Sequence, residues 1–430
     1  MIDPLMDLLQ WPLQPGAWTV LTGITTNAAC ALVGCFLVLR RMSMMGDALS
    51  HAVLPGLVVA FLFSGSTGLW PMFLGAAGVG IVTTLLTQTL HQQGRVPSDA
   101  SMGVVYTSLF ALGVVLVKLY VADIHFDVAC VYEGSLDLTP LAERIAGVPR
   151  PLLTTGVVLV VNAVVIALFW KELRLSSFDP GLSTTMGFPA TLLHYLLMVL
   201  VALTVVASFE AVGSILVVAM LIVPAATAHL LADRLAPMML IAVAIAAVSA
   251  VLGWWFAVLR ESNTAGMTAV VVGGFYFAAA LLAPRHGVLS AVVRNARRSL
   301  RIVREDLLAM LYRVEEAAGG RRLQPAEARA AAGGGWAPWW ELKRLVSNGL
   351  VSAGPGEVGL TERGRSAAAK LVRTHRLWEA YLVEHLKLPL DHVHEPAHRV
   401  EHFIDETLLE SIEGELGGSE VDPHGREIPE

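Results

Sequence analysis

Nine long apolar segments restrict the fold of this chain more than any other feature. Most reach the roughly 20 residues that a helix needs to cross a bilayer, although the second is short and contains Pro55. They predict an all-α polytopic membrane domain with about nine transmembrane helices. The segments cover about residues 17–39, 48–63, 69–90, 102–121, 152–170, 191–209, 213–232, 236–258 and 266–283.

Charged residues divide the chain into two parts. Residues 1–284 contain 10 Lys or Arg and 14 Asp or Glu, whereas the shorter stretch 285–430 contains 20 and 22. This contrast predicts a membrane domain over residues 1–284 and a soluble part after it, which begins with a basic juxtamembrane helix or linker at 285–300. We therefore expect a multi-pass protein of the cell (inner or cytoplasmic) membrane.

Basic residues follow alternate apolar segments and predict the orientation. The positive-inside rule places these alternate ends in the cytoplasm. The amino terminus is then expected outside, and the soluble part in the cytoplasm. The residues are Arg40, Arg41, Arg95, Lys171, Arg174, Arg234 and Arg285.

Asp47 and His51 lie at the start of the second segment, in GDALSHAVLPG. A charged side chain at bilayer depth costs several kcal/mol and usually faces a protein interior or a polar pathway. Four positions are one helical turn, so both side chains point the same way. A carboxylate and an imidazole together suit a divalent transition metal. The residues alone leave two readings open, a metal site and a polar contact between helices.

A loop between the fifth and sixth segments, KELRLSSFDPGLSTTMGFPATLLHY, contains a short helix signal. Asp179 and Pro180 resemble a cap followed by proline at the first helical position, and Gly187 is the expected end. A capped helix in a cytoplasmic loop could dock onto another protein. An ordinary amphipathic connector is the alternative.

Three motifs carry a family resemblance across residues 15–284. RRMSMMGDALSHAVLPG, SSFDPGLSTTMG and AVGSILVVAMLIVPAATA occur in the order typical of permease subunits of ABC importers for manganese, zinc and iron. The resemblance implies that Asp47 and His51 line the pathway and contact the transported metal. It also implies that the loop with Phe178, Asp179, Pro180 and Gly187 couples the permease to an ATPase.

The same resemblance implies partners. The chain contains no Gly-Lys dipeptide and so has no Walker A loop. We therefore expect no enzymatic activity and no bound nucleotide, with ATP hydrolysis by a separate ABC ATPase. A second permease subunit, identical or different, and an extracytoplasmic metal-binding protein complete the expected importer.

A basic stripe opens the soluble part. Its arginines recur every three or four residues and so share one face of a helix. Beside a membrane, anionic lipid headgroups are the expected partner. The stripe consists of Arg294, Arg297, Arg298, Arg301 and Arg304.

Histidines are concentrated at the carboxyl end. Residues 374–430 contain seven of the thirteen histidines, which is a metal-binding composition. The segment HEPAH also matches the zinc-protease pattern, but that pattern needs one continuous helix. Because proline is tolerated only in the first turn, we expect the helix to begin at Pro396, with His394 and Glu395 outside it.

Residues 301–430 resemble the metal-dependent transcriptional repressors typified by the diphtheria toxin repressor. EDLLAMLYRVEE, NGLVSAGPGEVGLTERGR, THRLWEAYLVEHLKL, VHEPAHRVEHFIDETL and PHGREIP carry the resemblance. It implies a winged helix at 301–372 and a helical metal-binding and dimerisation domain at 373–430. One implied metal site contains His375, Glu379 and His394, and the other contains Asp306, His398, Glu401 and His402. The family more often has Cys or Glu where His398 stands, which leaves the metal open.

The segment in the place of the DNA-reading helix departs from the family. In GGGWAPWWELKRLVSNG, Trp336, Trp339 and Trp340 replace small polar residues, and Lys343 and Arg344 are the only cations. Base readout relies on Arg, Lys, Asn or Gln. We expect a contact surface for protein or membrane here rather than a DNA-reading surface.

The sequence as a whole predicts the membrane-spanning subunit of an ATP-driven importer of Mn, Zn or Fe. The soluble part is expected to bind the same class of metal as a regulatory ligand and to control transport. The alternative is a membrane-tethered metal-dependent repressor, for which DNA is the partner.

Overall fold

The computed structural model describes residues 15–65, 69–120, 136–145, 147–317, 322–331, 333–354, 356–417 and 420–429. The chain divides into two compact units, Met1–Ser290 and Ala291–Glu430. Both are mainly helical in the described residues.

The first unit is built from eleven described helices. The first four are α1 (Pro15–Leu39), α2 (Met44–Ser64), α3 (Leu69–Gln92) and α4 (Ser98–Tyr120). A 3-10 turn (Leu136–Leu141) and a two-residue hairpin, β1 (Arg144–Ile145) with β2 (Val148–Pro149), precede the rest. These are α5 (Arg150–Leu168), α6 (Trp170–Phe178), α7 (Pro180–Thr185), α8 (Ala190–Val212), α9 (Ser214–Leu231), α10 (Leu235–Arg260) and α11 (Thr264–Leu282).

Each of the nine predicted apolar segments forms a helix. Eight described helices are long and apolar enough to cross a membrane, and α9 is a shorter apolar helix. The break before α9 lies at Gly213, whose φ of 77° separates it from α8. The prediction of a polytopic all-α domain is confirmed, while the orientation stays a prediction.

Small residues let the membrane helices approach closely. A Cβ on Gly34 of α1 would collide with the carbonyl of Leu221 on α9, and Gly56 of α2 meets Gly75 of α3 in the same way. Such contacts hold membrane helices together because packing, rather than water exclusion, drives their association. Buried side chains, among them Phe36 and Leu37 of α1 and Leu221 of α9, form the core of this unit.

The second unit begins with a winged helix. Its elements are α12 (Val288–Ala317), whose first three residues still belong to the first unit, α13 (Pro325–Ala331), α14 (Trp336–Ser347), β3 (Val351–Gly354) and β4 (Glu357–Leu360). The strands form an antiparallel hairpin, and Leu323 pairs with Val358 beside it. Leu307 and Leu311 of α12 pack with Leu345 of α14 in the core. This arrangement confirms the predicted winged helix.

The rest of the unit packs around one long helix. Its elements are α15 (Glu362–Glu384), α16 (His394–Val400), a 3-10 turn (Glu401–Phe403) and α17 (Glu406–Glu415). Arg376 of α15 is buried and pairs with Glu316 of α12 at 2.5 Å and with Asp422 at 3.5 Å. A buried arginine with two carboxylates fixes α15 relative to α12 and the carboxy-terminal segment.

The predicted start of α16 at Pro396 is wrong. The helix begins at His394, so His394 and Glu395 lie inside it and Pro396 occupies its third position. The first backbone N–H groups of a helix have no partner within the helix, so a proline there removes no hydrogen bond. Proline limits how far upstream the helix extends without marking its first residue.

Candidate metal sites and coupling helix

Asp47 and His51 face the same side of α2, as predicted. Asp47 Oδ1 lies 3.5 Å from His51 Nε2, and about a third of each side chain is exposed. The His51 ring stacks on Tyr106 of α4 at 5.7 Å and meets the edge of Phe110 at 5.8 Å. Neither aromatic is predicted from the sequence, because nothing in their local pattern separates them from other membrane-helix residues.

This pair can offer one imidazole nitrogen and one carboxylate oxygen to a metal. Within the part of the chain that the structure describes, neither residue belongs to a cluster of three or more His, Cys, Asp or Glu groups. Two ligands alone hold a divalent ion weakly, which suits a site from which the ion must leave again.

The short helix α7 has the predicted ends. The Asp179 side chain accepts a hydrogen bond from the Leu182 N–H at 2.9 Å, Pro180 occupies the first position, and Gly187 follows with a φ of 87°. Phe178 at the end of α6, Leu182 within α7 and Met186 directly after α7 are all exposed. We call these three residues, of which only Leu182 lies within the helix, the apolar face of α7. Phe178 is among the coupling residues expected from the sequence, whereas Leu182 and Met186 are not.

Arg40, at the end of α1, holds the segment before α7. Its guanidinium donates to Ser176 Oγ at 2.8 Å and to Ser177 Oγ at 3.1 Å, and a third nitrogen lies 3.2 Å from His194 Nδ1. The contacts join α1, α6 and α8. From the sequence Arg40 is expected only to mark the orientation, and these contacts are not predicted.

The predicted site of His375, Glu379 and His394 is assembled in the second unit. Glu379 Oε1 lies 2.9 Å from His394 Nδ1 and 3.1 Å from His375 Nε2, and the two nitrogens are 3.1 Å apart. His375 and Glu379 are buried one turn apart on α15. Burial alone raises the pKa of Glu379, but hydrogen bonds from His375 and His394 outweigh it and lower the pKa to about 2.

The donors of this first site fit a metal. His375 Nδ1 lies 2.6 Å from Glu401 Oε2, so an N–H there donates to the carboxylate and leaves Nε2 for the site. Metal-binding histidines are usually oriented by such a second carboxylate. An ion bound octahedrally at about 2.1 Å keeps adjacent ligand atoms about 3.0 Å apart, close to the spacing seen here.

The second predicted site is also assembled, from three elements. Asp306 comes from α12, His398 from α16, and Glu401 and His402 from the 3-10 turn. Asp306 Oδ1 lies 3.2 Å from His402 Nε2 and 4.0 Å from His398 Nε2. Glu401 Oε1 lies 2.9 Å from His398 Nδ1.

Two buried atoms of this second site are available for a metal. Asp306 Oδ1 and His402 Nε2 lie 3.2 Å from each other, and neither is hydrogen-bonded to a third group among the described residues. Buried polar atoms are rarely left without a full set of hydrogen-bond partners. His402 Nδ1 lies 2.9 Å from Glu305 Oε2, which orients the ring and was missed by sequence analysis. Contacts with Asp306 and then Glu305 raise the pKa of His402 to about 9.

The tryptophans of α14 are exposed. Trp336, Trp339 and Trp340 expose 72%, 43% and 54% of their surface, and Lys343 Nζ lies 3.8 Å from the centre of the Trp339 ring. None of the three is used in the core of the winged helix. Their role as a contact surface stays a prediction.

Comparison with known proteins identifies the first unit. Residues 16–283, more than half of the chain, match the ABC 3 transport family. The chain belongs to this family. It is therefore a multi-pass membrane transport protein, and the predicted resemblance to the importer permeases is confirmed.

Individual members of the ABC 3 transport family are similar over the same stretch. The manganese transport system membrane protein MntD of Bacillus subtilis is 44% identical over 283 residues, 65% of this chain and 96% of MntD. The zinc transport system membrane protein TroD of Treponema pallidum is 39% identical over 274 residues, 63% of this chain and 74% of TroD. The structure of PsaBC from Streptococcus pneumoniae in complex with Fab matches with a TM-score of 0.56 and 32% identity, over 66% of this chain and 98% of that one.

The end of the chain matches a second family. Residues 361–430 match the iron dependent repressor, metal binding and dimerisation domain. Six of the seven predicted regulatory ligands lie within this stretch, and Asp306 lies outside it. The resemblance to the metal-dependent repressors is confirmed for this region.

Proposed function

We propose that this chain is the membrane-spanning subunit of an ATP-driven importer of a divalent transition metal, with a metal-sensing unit that regulates transport. Membership of the ABC 3 transport family, together with the Asp47–His51 pair on α2, carries the proposal. Relatives named for manganese and zinc transport support one of these two metals as the substrate. Iron is a third candidate, because the sequence motifs also resemble those of iron importers.

Asp47 and His51 would contact the ion in the pathway. Each supplies one ligand atom, and the exposure of both side chains leaves room for ligands from outside this subunit. A second permease subunit could supply them. Tyr106 and Phe110 restrict the rotation of the His51 ring and so keep its Nε2 near Asp47.

The apolar face of α7 would contact the ATPase. A helix of six residues cannot be stable alone, so its cap at Asp179, its end at Gly187 and the Arg40 contacts hold it in place. Exposed Phe178, Leu182 and Met186 offer a compact surface for a partner. The loop is cytoplasmic under the positive-inside rule. An extracytoplasmic metal-binding protein would deliver the ion on the opposite side.

The two clusters of the second unit would bind cytosolic metal. A metal between Asp306 and His402 would join α12 to the turn after α16, and α12 begins six residues after the end of α11. Metal occupancy could thereby change the position of a helix that continues from the membrane domain. Feedback inhibition by imported metal is the expected result.

A tethered repressor is the second candidate. The winged helix and the repressor-type metal domain favour it. The exposed tryptophans at the start of α14 argue against it, because a DNA groove is lined with charge and base edges that tryptophan cannot read.

Metal uptake by variants tests the transport proposal. Asp47→Ala and His51→Ala should each lower uptake of radiolabelled Mn²⁺ by at least about tenfold, since each removes one of two ligands. His91→Ala, which removes an exposed histidine from the end of α3, is the control. Normal uptake in the Asp47 and His51 variants, with the ATPase still bound, would exclude this pair as pathway ligands.

A further inference from the structure

Helices α12 and α14 enclose a cleft that belongs to neither metal site. Its volume is about 300 Å³, and it lies wholly within the second unit. We call it the arginine cleft. It is lined by Arg297, Leu300, Arg301, Arg304, Glu341 and Arg344.

The cleft gathers positive charge that the protein only partly neutralises. Arg297, Arg301 and Arg304 are spaced by four and three residues, so they share one face of α12. Arg301 pairs with Glu305 at 2.7 Å. Among the described residues, no carboxylate pairs with Arg297 or Arg304. Converging guanidinium groups bind phosphate through several charge-assisted hydrogen bonds.

Glu341 restricts which anions the cleft can bind. The residue is 1% exposed and lines the cleft, and its only ion-pair contact within the described structure is Arg344 at 3.5 Å. Neither carboxylate oxygen has a hydrogen-bond partner among the described residues. A buried acceptor without a donor is costly, and a bare anion would be repelled by it. A ligand that carries its own N–H or O–H satisfies both requirements.

We propose that the arginine cleft binds a phosphate ester with a hydroxyl or ammonium donor close to the phosphate. The arginines contact the phosphate oxygens, and Glu341 accepts the hydrogen bond from the donor. Such a group occurs in phospholipid headgroups, such as phosphoethanolamine and phosphoglycerol, and in soluble phosphate esters. The site shares no residue with the seven proposed regulatory metal ligands, and among the described residues it touches them only through Arg301, whose partner Glu305 contacts His402.

The neighbouring tryptophans favour the lipid source. Residues four apart on a helix are separated by about 40° around its axis, so exposed Trp340 lies next to Arg344 at the rim of the cleft. Tryptophan and cationic side chains together are typical of surfaces that contact the headgroup layer of a membrane.

The test measures ligand binding to the full chain in a phosphate-free detergent. The ligands are dihexanoyl phosphatidylethanolamine and dihexanoyl phosphatidylcholine, with phosphoethanolamine and phosphocholine as soluble counterparts. Ethanolamine esters have an N–H donor and choline esters have none. We expect the ethanolamine ester to bind at least about tenfold more tightly than the choline ester in each pair. A lipid that binds more tightly than phosphoethanolamine indicates a membrane source, and equal binding indicates a soluble ester.

Matched variants assign the binding to the cleft. Arg297→Ala with Arg304→Ala should weaken binding at least about tenfold. Arg298→Ala, which removes an exposed arginine of the same helix outside the cleft, should change it less than about twofold. Glu341→Leu should abolish the preference for ethanolamine, whereas Glu341→Gln, which keeps an acceptor oxygen and checks folding, should retain part of it.

Three outcomes contradict the proposal. The first is equal binding of ethanolamine and choline esters. The second is an equal loss of binding in the Arg298 variant. The third is that Arg297→Ala with Arg304→Ala weakens binding of duplex DNA but not of either ester. That result would support the tethered repressor.

Discussion

His375 Nδ1 lies 2.6 Å from Oε2 of Glu401, the residue whose other oxygen lies 2.9 Å from His398 Nδ1. One carboxylate thus contacts both clusters of the second unit. It orients His375 in the first cluster and offers an oxygen as a ligand atom in the second. We expect the two sites to influence each other through this residue.

Glu401→Ala should therefore weaken metal binding at both sites. Loss of a carboxylate that orients a metal-binding histidine typically costs about 10–100-fold in affinity. Mn²⁺ is titrated into the full chain carrying Asp47→Ala, which removes one of the two proposed pathway ligands, so that binding at the two clusters of the second unit is measured. Glu395→Ala, which removes an exposed carboxylate from the same segment, serves as the control. A change confined to one site would show that Glu401 does not link them.

Metal binding at the Asp306 site should depend on pH. The pKa of His402 is raised from 6.5 to about 9, so the ring is protonated at neutral pH without metal. This protonated form stabilises the metal-free unit fully below about pH 6.5, and the stabilisation is lost as pH rises through about 9. A bound metal must displace the proton, so affinity should rise about tenfold per unit from pH 7 to pH 8.

Calorimetry in buffers of different ionisation enthalpy measures the released proton directly. We expect close to one proton per ion at the Asp306 site at pH 7. His402→Ala should remove this release together with most of the affinity. Binding with no proton release in the unaltered chain would mean that His402 is not a ligand.

The ends of α7 should control coupling to the ATPase. Loss of the Asp179 cap costs about 1 kcal/mol. A β-branched residue at Gly187, where φ is 87°, costs about 1–2 kcal/mol. Asp179→Ala with Gly187→Val should uncouple ATP hydrolysis from uptake, while each single change has a smaller effect. Normal stimulation of the ATPase by the double variant would give the loop another role.

The apolar face of α7 can be tested separately from its stability. Leu182→Ala with Met186→Ala should reduce co-purification of the ATPase, because both side chains are exposed and available to a partner. Leu168→Ala, which truncates a more exposed apolar residue at the end of α5, should have no effect. Equal loss in both variants would point to general destabilisation.

Arg40 should matter for the same coupling step. Arg40→Gln removes charge-assisted contacts to Ser176, Ser177 and His194 and should lower transport per ATP by at least about threefold. Arg41→Gln changes the neighbouring exposed arginine and should leave the ratio unchanged. A comparison of uptake and hydrolysis in the same proteoliposomes gives the ratio.

Local patterns in the sequence were sufficient for much of this structure. The apolar segments, the cap at Asp179 and the one-turn spacing of His375 and Glu379 each depend on neighbours within a few residues, and each was predicted correctly. The start of α16 was missed because Pro396 restricts only the residues before it in a helix interior, not within the first turn.

Contacts between distant residues could not be read from local patterns. Asp306 was placed with His402, nearly a hundred residues away, only through a family resemblance. Nothing in the local sequence around Glu305 or Glu341 indicates that these carboxylates are buried, because burial depends on packing against distant residues. The partners of His51 on α4 were missed for the same reason.

Transport against a controlled internal metal concentration tests the central claim most directly. The full chain, assembled with its ATPase in proteoliposomes, should import Mn²⁺ more slowly as Mn²⁺ rises on the side that carries the second unit. A metal that binds the inhibited state about 100-fold better than the active state shifts the equilibrium between them by about 2.7 kcal/mol. The variant His398→Ala with His402→Ala loses that shift, so its import rate should not fall as internal Mn²⁺ rises. If the unaltered chain ignores internal metal, and the full chain instead binds a specific operator only with metal, the second unit represses a gene and does not regulate import.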